Sequence, residues 1–516
     1  MNMAPLSKLS RFPLSAMVLA VSAAVYADDK VSSTPTAAAD RDAKPSPPAA
    51  SPGMLNSWLR QQSPAFDPWD LGVQLRARFE HTDNLDAPGA PGVDTKHGSV
   101  DFRANGGDAN NDHLLLRSLV HLGYTPTPWL NVYVEGKESS STGDDRSPNV
   151  DSDMMDLHQA YLRLGGSATV PFSVKAGRQE LIYGDERLIG ASDWTNVKRT
   201  FDAVKLRYEA GASWVDAFVS RPIVVWDNHF NESNDYEWFS GLYASSTSLI
   251  PFQESQFYAL SRNVGAGSPG FYGSSPDPQG SSPRDIYTLG LRLKSLPGKL
   301  GGWDYGTEFA GQFGHFKETT KGAPASVAGK NLDQEAFAVA AGGGYTWSKF
   351  FGSPRLGAEY AYASGDNNPS DGTHGTFDNL FPTNHKFYGI MDLFSWQNVQ
   401  IGRFTASIKP LKNFTLTSDY RLVWLADTND SLYTNKGARR GGAVATAGLG
   451  YGVNPGFDSF VGSEIDLVGS YTIKPCAVLQ AGIGHFFVGD YIKSSLAGLG
   501  GATDGNFIYA QCVLSF

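Results

Sequence analysis

The chain has 516 residues, of which 57 are glycine and 12% are aromatic, and its formal net charge is −10. This length fits several domains or one large β-architecture. The mean hydropathy of −0.27 and the lack of any run of about 20 apolar residues argue against spanning helices in the mature chain. A transmembrane β-barrel stays possible, because alternating lipid-facing and lumen-facing residues average to a polar composition. The acidic balance argues against nucleic acid as a partner.

Residues 1–27 have the pattern of a secretory signal peptide. Lys8 and Arg11 form its basic region, the apolar segment FPLSAMVLAVSAAV follows, and the tripeptide VYA ending at Ala27 fits a small-x-small cleavage site. An uncleaved membrane anchor is disfavoured because the apolar segment is too short to span a bilayer. We therefore expect the mature chain to begin at Asp28.

The next segment, residues 28–66, is rich in alanine, proline and serine. Such a composition buries too little apolar surface to offset the entropy of ordering, so it predicts a flexible periplasmic leader. Within it, MLNSWLRQQ (residues 54–62) predicts a short amphipathic helix. Residues 67–516 are predicted to form one barrel domain.

Apolar and polar residues alternate repeatedly beyond Asp70. In LGVQLRARFE (residues 71–80), Leu71, Val73 and Leu75 share one face and Arg76 and Arg78 share the other. Marking every such run gives eighteen strands, which begin near residues 71, 112, 129, 155, 171, 201, 213, 238, 255, 284, 302, 333, 354, 397, 413, 461, 476 and 506.

The connections between these strands alternate between short and long. Short ones include TPTPW, EAGAS, PLKN and IKP, whereas long ones include residues 83–111, 181–200, 263–283, 365–396 and 427–460. This rhythm is typical of an up-and-down outer-membrane barrel with tight periplasmic turns and long extracellular loops. A secreted β-sandwich has no reason to keep it. The predicted fold class is all-β, a single transmembrane β-barrel of about eighteen antiparallel strands.

Aromatic residues recur close to the short turns, on the apolar face of the strands. Such rings prefer the headgroup level of a membrane and predict a periplasmic girdle. The C-terminal segment FIYAQCVLSF ends at this girdle, so we expect the last strand to close the barrel there. Outer-membrane barrels commonly end in such a strand, which implies recognition by the barrel assembly machinery through Phe516. The predicted girdle consists of Tyr124, Phe172, Tyr208, Trp303, Tyr345, Phe414, Tyr471 and Phe516.

Eighteen strands leave room for an aqueous channel. Basic residues outnumber acidic ones on the polar face although the whole chain is acidic, and rings of basic residues select anions. Inward salt bridges that stiffen the wall are the alternative role for each arginine. The basic residues placed on this face are Arg76, Arg78, Arg117, Arg163, Lys175, Lys205, Arg207, Arg292, Arg355, Arg403 and Arg421. Their acidic counterparts are Glu80, Glu135, Asp216, Glu308, Glu359, Asp419, Glu464 and Asp466.

Two long segments carry a family resemblance. AGRQELIYGDERLIGASDWTNVKRTFDAVKLR (residues 176–207) and SGDNNPSDGTHGTFDNLFPTNHKFYG (residues 364–389) resemble the alginate export family of outer-membrane proteins. GSEIDLVGSY and HFFVGDYIK fit that family's last strands, and the similarity covers essentially all of residues 70–516. It implies an eighteen-stranded barrel that passes a polyuronate through an electropositive constriction. The resemblance implies the barrel and pore more strongly than alginate itself.

The first of these segments contains a basic cluster around an outer loop. Two interpretations stay open. The loop either folds into the channel mouth, where guanidinium groups pair with sugar carboxylates, or is held against the wall by internal Arg–Asp pairs. The cluster adds Arg178, Arg187, Lys198 and Arg199 to Lys205 and Arg207, and its acidic members are Glu180, Asp185, Glu186 and Asp202.

The second segment contains DNNPSDG (residues 366–372), which loosely resembles a calcium loop but lacks the distal bidentate glutamate. An Asx/Gly-rich turn is the favoured interpretation, and we predict no metal site and no cofactor. The chain has no G-x-S-x-G, H-E-x-x-H or phosphate-loop motif, so we do not expect an enzyme.

We therefore expect a monomeric outer-membrane pore for an anionic polysaccharide. A substrate-specific uptake porin for small carboxylates or oligosaccharides, and a structural or adhesive barrel plugged by its loops, remain alternatives. The expected partners are this anionic substrate and outer-membrane lipid.

Overall fold

The structure, a computed structural model, describes residues 54–85, 101–104, 110–144, 151–167, 170–271, 282–319, 323–440 and 449–516. The predicted signal peptide and most of the predicted leader lie outside the described residues. None of the helices in the described part of the chain is long and apolar enough to cross a membrane.

Eighteen antiparallel strands form a closed barrel, as the alternating pattern predicted. Each predicted strand start lies within two residues of an observed one. The strands are β1 (Trp69–Asp83), β2 (Asn111–Thr127), β3 (Leu130–Thr142), β4 (Asp153–Ser167), β5 (Val170–Gln179), β6 (Phe201–Ala210), β7 (Ser213–Val224), β9 (Glu237–Ser246), β10 (Gln253–Val264), β11 (Arg284–Ser295), β12 (Trp303–Lys317), β13 (Asn331–Thr346), β14 (Arg355–Ala363), β16 (Val399–Leu411), β17 (Phe414–Leu425), β18 (Phe460–Lys474), β19 (Ala477–Val488) and β20 (Gly505–Ser515). Two-residue strands β8 (Glu232–Ser233) and β15 (Thr373–His374) lie in loops.

The barrel closes between its first and last strands. β1 pairs with β20 in antiparallel register from Gln74 opposite Ser515 to Asp83 opposite Asn506. Phe516 extends this ladder, because its N–H donates to the carbonyl of Val73 at 2.8 Å and its carbonyl accepts from the N–H of Val73 at 3.2 Å. The C-terminal residue therefore completes the seam, as expected.

The two ends of the barrel differ. Short turns follow β2, β4, β6, β9, β11, β13, β16 and β18, and longer segments follow the other strands. Aromatic rings of adjacent strands pair outside the wall at the short-turn end: Phe172 with Tyr208 at 4.7 Å between centroids, and Trp303 with Tyr345 at 4.9 Å. This agrees with the predicted girdle and identifies the short-turn end as periplasmic.

Among the described residues, two α-helices lie outside the wall strands. Helix α1 (Met54–Gln62), which matches the helix predicted from MLNSWLRQQ, precedes β1. Helix α2 (Asp490–Leu496) lies in the β19–β20 loop and buries Tyr491, Ile492 and Leu496. The largest apolar cluster combines such loop residues with inward-facing wall residues, for example Trp396 and Phe486. The core of the protein thus fills part of the barrel interior.

The orientation can be tested with single cysteines in a background where Cys476 and Cys512 are serine. Asn367 is exposed in the long β14–β16 segment and Lys412 is exposed in the short β16–β17 turn. Asn367→Cys should react with an impermeant maleimide on intact cells, whereas Lys412→Cys should react only after the outer membrane is permeabilised. The reverse labelling pattern would contradict the assigned orientation.

Candidate functional site

The inner face of the barrel carries the charged residues and the outer face the apolar ones. On β1, Arg76, Arg78 and Glu80 are buried, while Ala77 and Phe79 between them are exposed. In a strand, successive side chains point to opposite faces, so the buried set lines the lumen. The candidate site is this lumen together with two loops inserted into it, which we name loop A (residues 180–200) and loop B (residues 364–398).

Loop A is held by arginines of β1 and β2 through its backbone. Arg76 donates to the carbonyl of Asp193 at 2.7 Å, the carbonyl of Thr195 at 3.1 Å and the side-chain oxygen of Asn196 at 3.1 Å. Arg117 also donates to the carbonyls of Asp193 and Thr195, at 3.0 and 3.3 Å, and to the Asp193 carboxylate at 3.1 Å. Neutral carbonyl oxygens therefore satisfy much of the hydrogen-bonding capacity of these two guanidinium groups.

Arg78 extends the attachment through Trp194. It donates to the carbonyl of Trp194 at 2.7 Å, and its guanidinium carbon lies 3.7 Å from the centre of the indole ring. The imidazole of His385 from loop B stacks on the same indole at 3.7 Å with an interplanar angle of 8°. Cation–π and ring stacking thus connect the wall, loop A and loop B in one column.

The two loops also pair with each other through their backbones. The N–H of Gly190 donates to the carbonyl of Phe381 at 2.8 Å, and the N–H of Phe381 donates to the carbonyl of Leu188 at 2.9 Å. This is a parallel bridge between Ile189 and Phe381. Glu186 adds side-chain contacts to loop B through Thr383 at 2.8 Å and Lys386 at 2.5 Å. Loops A and B therefore form one inserted unit.

Charged pairs fix loop A to the opposite wall. Arg187 donates to Glu359 at 2.8 Å and to the Tyr388 hydroxyl at 3.1 Å. Asp185 accepts from Arg292 at 2.6 Å and from Lys294 at 2.5 Å. Burial alone would raise the pKa of Asp185, but these two cations lower it to about 2. The carboxylate consequently stays ionised throughout the physiological range.

Lys198 closes the other end of loop A. Its ammonium lies 2.5 Å from Glu180 and 3.3 Å from Asp193. Burial acts to lower the pKa of Lys198, yet the two carboxylates together raise it above its ordinary value. This lysine is therefore a permanently charged internal partner of the loop.

Loop B is anchored by Asp378 and by Arg421. Asp378 accepts from Arg262 and from Arg284, both at 2.9 Å, and its backbone is bonded to the side chain of Gln312 on β12. Arg421 donates to the carbonyl of Phe387 at 3.2 Å and forms an ion pair with Asp466. Side chains of β10, β11, β12 and β17 thus hold the central part of loop B, from Asp378 to Phe387.

Two cavities lie beside the inserted loops, one towards each end of the barrel. The inner cavity, of about 770 Å³, opens at the short-turn end, and the outer cavity, of about 140 Å³, lies near the long loops. The charged residues described along the inner cavity balance, namely Arg187, Arg292, Lys294, Arg355 and Arg403 against Asp185, Asp304, Glu308, Glu359 and Asp419. Those described along the outer cavity do not balance, namely Arg199, Arg262, Arg284 and Lys436 against Glu237 and Asp378.

Internal partners account for the other predicted site residues. Arg355 pairs with Asp304, Arg403 with Asp419, and both Lys205 and Arg207 with Asp216. Arg163 donates to the carbonyl of Gly165, and Arg199 donates to the carbonyls of Gly190 and Pro382. These contacts are internal pairs of the kind that the second interpretation of the basic cluster describes. The loop is also folded into the lumen, which is a feature of the first interpretation.

Arg178 requires a correction, because it does not face the channel. It lies on β5 with the same parity as Phe172 and Val174, which are exposed on the outer wall. It forms a two-pronged ion pair with Asp202, its cross-strand neighbour on β6. The period-2 alternation within β5 contained this information, but the sequence assignment treated Arg178 as part of the loop.

Several lumen residues were not singled out from the sequence. Trp194, His385 and Asp378 lie within the two segments that carry the family resemblance, but they have no local pattern that reveals their partners. Their contacts join segments far apart along the chain, for example Arg78 with Trp194, 116 residues apart, and Gln312 with Asp378, 66 residues apart. A search for aromatic and acidic residues inside long loops would have found them as candidates.

The segment DNNPSDG forms turns of the Asx type. The side chains of Asp366, Asn368 and Asp371 each accept from the backbone N–H two residues further on. This agrees with the favoured interpretation of the segment. Within the described residues, no group of three or more histidine, cysteine, aspartate or glutamate side chains is arranged to hold a metal ion.

The chain matches a protein-family model and is similar in fold to solved structures. Residues 67–497 match the family model described as alginate export. No curated protein matches the chain. Among solved structures, Acinetobacter baumannii OccAB1 is similar at 12% identity and a TM-score of 0.52, over 87% of this chain and 97% of that one. A BenF-like porin from Pseudomonas fluorescens Pf-5 gives 12% and 0.51, over 87% and 99%. At these identities, the solved structures support the barrel fold alone.

The junction of the two loops can be tested by a reversible cross-link. Ile189→Cys and Phe381→Cys, in the background without native cysteines, place two thiols at bridged backbone positions. If solutes pass by separation of loops A and B, the oxidised variant should conduct less in a planar bilayer, and reduction should restore the conductance. Each single cysteine variant is the control. Equal conductance before and after reduction would show that the loops do not separate.

The Asx segment predicts a pH effect. Burial, with the nearby charge of Asp430, raises the pKa of Asp366 to about 6. Ionised Asp366 thus destabilises the folded state at neutral pH, and protonation removes this penalty as the pH falls through about 6. Asp366→Asn should raise the unfolding temperature at about pH 7.5 and reduce its increase on acidification to about pH 5. An unchanged pH dependence in the variant would contradict this assignment.

Proposed function

Because this chain belongs to the alginate export family of bacterial outer-membrane channels, we propose that it passes an acidic polysaccharide, such as an alginate-like polyuronate, by facilitated diffusion. The family consists of channels rather than enzymes, in agreement with the lack of catalytic motifs. The proposal has two specific elements, which are anion selectivity and a polyuronate substrate.

The observation that carries this proposal is the way Arg76 is satisfied in the lumen. Arg76 donates to three neutral oxygens, two of them backbone carbonyls. A carbonyl oxygen satisfies a donor but brings no full negative charge, so the positive field of Arg76 is only partly neutralised nearby. In a narrow channel with low-dielectric walls such a field is focused along the lumen.

The outer cavity supports the same conclusion. Its described lining carries four basic and two acidic side chains, although the whole chain has a net charge of −10. Charges on distant loops are screened beyond a Debye length of about 10 Å at 0.1 M salt. The local excess of basic residues therefore determines what a permeating ion encounters.

Uptake of small carboxylates or oligosaccharides is the second candidate. Loops A and B bridge the lumen between the two cavities, and a small solute needs a smaller displacement of these loops than a polymer does. A polymer requires the loops to separate, which the reversible cross-link addresses. A barrel that stays plugged in a structural or adhesive role would conduct in neither state.

Electrical recordings test the proposed selectivity. The purified protein in a planar bilayer should favour anions over cations, and a uronate oligomer should block its current. Replacing Arg76, Arg117 and Arg199 by glutamine should weaken both properties, because each guanidinium contributes charge to the lumen or outer cavity. Arg178→Gln is the matched control, since this arginine lies on the outer wall and its loss should leave selectivity unchanged.

Cation selectivity of the unmodified protein would exclude a polyuronate as the substrate while leaving the barrel assignment intact. Selectivity for small carboxylates without any block by uronate oligomers would instead favour the uptake porin.

A further inference from the structure

The first strand of the barrel is longer than the last at the periplasmic end. β1 begins at Trp69, but its ladder with β20 reaches only to Val73, which pairs with Phe516. On its other side β1 is paired from Trp69 onward with β2. The edge of β1 that faces β20 therefore extends beyond the seam, where none of the strands in the described ranges bonds to its backbone groups.

Helix α1 occupies this edge. The side-chain oxygen of Asn56 accepts from the N–H of Leu71 at 2.8 Å, and its amide nitrogen donates to Asp70 at 2.7 Å. Arg60 donates to the carbonyl of Trp69 at 3.1 Å. Asn56 is only 2% exposed. Side chains of α1 thus bond to backbone groups on this edge of β1, the N–H of Leu71 and the carbonyl of Trp69.

The side of α1 opposite Asn56 carries two exposed apolar residues, Met54 and Trp58, next to Gln61 and Gln62 at the end of the helix. At about 100° per residue, Met54 and Trp58 lie about 160° from Asn56 in either direction around the helix. They are 55% and 54% exposed. Asp70, the partner of Asn56, lies 3.4 Å from His121 on the lumen side. Since Asn56 faces the strand edge and the lumen side, Met54 and Trp58 point away from both.

This apolar surface lies at the level of the aromatic girdle. The ring of Trp69, at the strand edge that α1 covers, packs on Tyr124 at 4.4 Å between centroids. Tryptophan favours the interface between headgroups and acyl chains. The Trp69–Tyr124 pair thus places the start of β1, to which α1 is bonded, at the membrane interface.

We propose that α1 is an interfacial helix, whose residues Met54 and Trp58 insert into the periplasmic leaflet of the outer membrane beside the barrel seam. Amphipathic helices with few charges on the apolar side bind at this depth in a bilayer. Arg60 is the sole charged residue of α1, and it is bonded to the edge of β1. The helix would thereby shield the β1 edge with its polar side and contact lipid with its apolar side.

Site-directed spin labelling tests this proposal on the full mature chain. Single cysteines replace Trp58 and, as the matched control, Ser57, an exposed neighbour on the polar side of α1. Cys476 and Cys512 are serine in both variants. The labelled proteins are reconstituted in vesicles of phosphatidylethanolamine and phosphatidylglycerol. Collision rates are then measured with oxygen, which concentrates in lipid, and with a water-soluble nickel chelate.

The label at residue 58 should show a several-fold higher oxygen-to-nickel collision ratio than the label at residue 57. Equal ratios at the two positions would place Trp58 in water and overturn the proposal. A label at 58 that neither reagent reaches would also overturn it, because the side would then be covered by protein. A label at Met54 checks the helical geometry of α1. Its oxygen-to-nickel collision ratio should be as high as that of the label at residue 58.

Discussion

The structure depends on the hydrogen bonds that inward-facing arginines donate to the backbone of loop A. The lumen of an eighteen-stranded barrel is too wide to be filled by wall side chains alone. Arg76, Arg78 and Arg117 reach from β1 and β2 to the carbonyls of residues 193–195. Hydrogen bonds to charged groups contribute about 1.5–3 kcal/mol each, so several converging on one short segment fix its position firmly.

The positions of loop B and of the two cavities depend on that placement of loop A. Because loop A is fixed at Trp194, His385 can stack on the indole and loop B can pair with residues 188–190. The paired loops in turn define where the two cavities begin and end. The arginines of β1 and β2 thus have a structural role as donors to loop A, in addition to the charge that they place in the lumen.

The barrel was predictable from sequence to a much greater extent than its contents. Strand positions, the short-long alternation and the closing role of Phe516 follow from local period-2 patterns and from turn lengths, which are properties of neighbouring residues. The contacts of Arg187 with Glu359 and of Arg421 with Phe387 are not, because each joins a strand to a loop whose path through the lumen depends on contacts distant in sequence. The position of Arg178, unlike those contacts, could have been predicted locally, because the alternation within β5 places it on the outer wall.

The uneven distribution of charge between the two cavities has an electrical consequence. A pore whose fixed positive charge is concentrated near one mouth, with a neutral chamber at the other, is not symmetric with respect to the direction of current. Anions accumulate near the outer mouth under one polarity of voltage and are depleted under the other. In a conducting pore this charge distribution rectifies ionic current, and the polarity that drives anions inward from the outside carries the larger current.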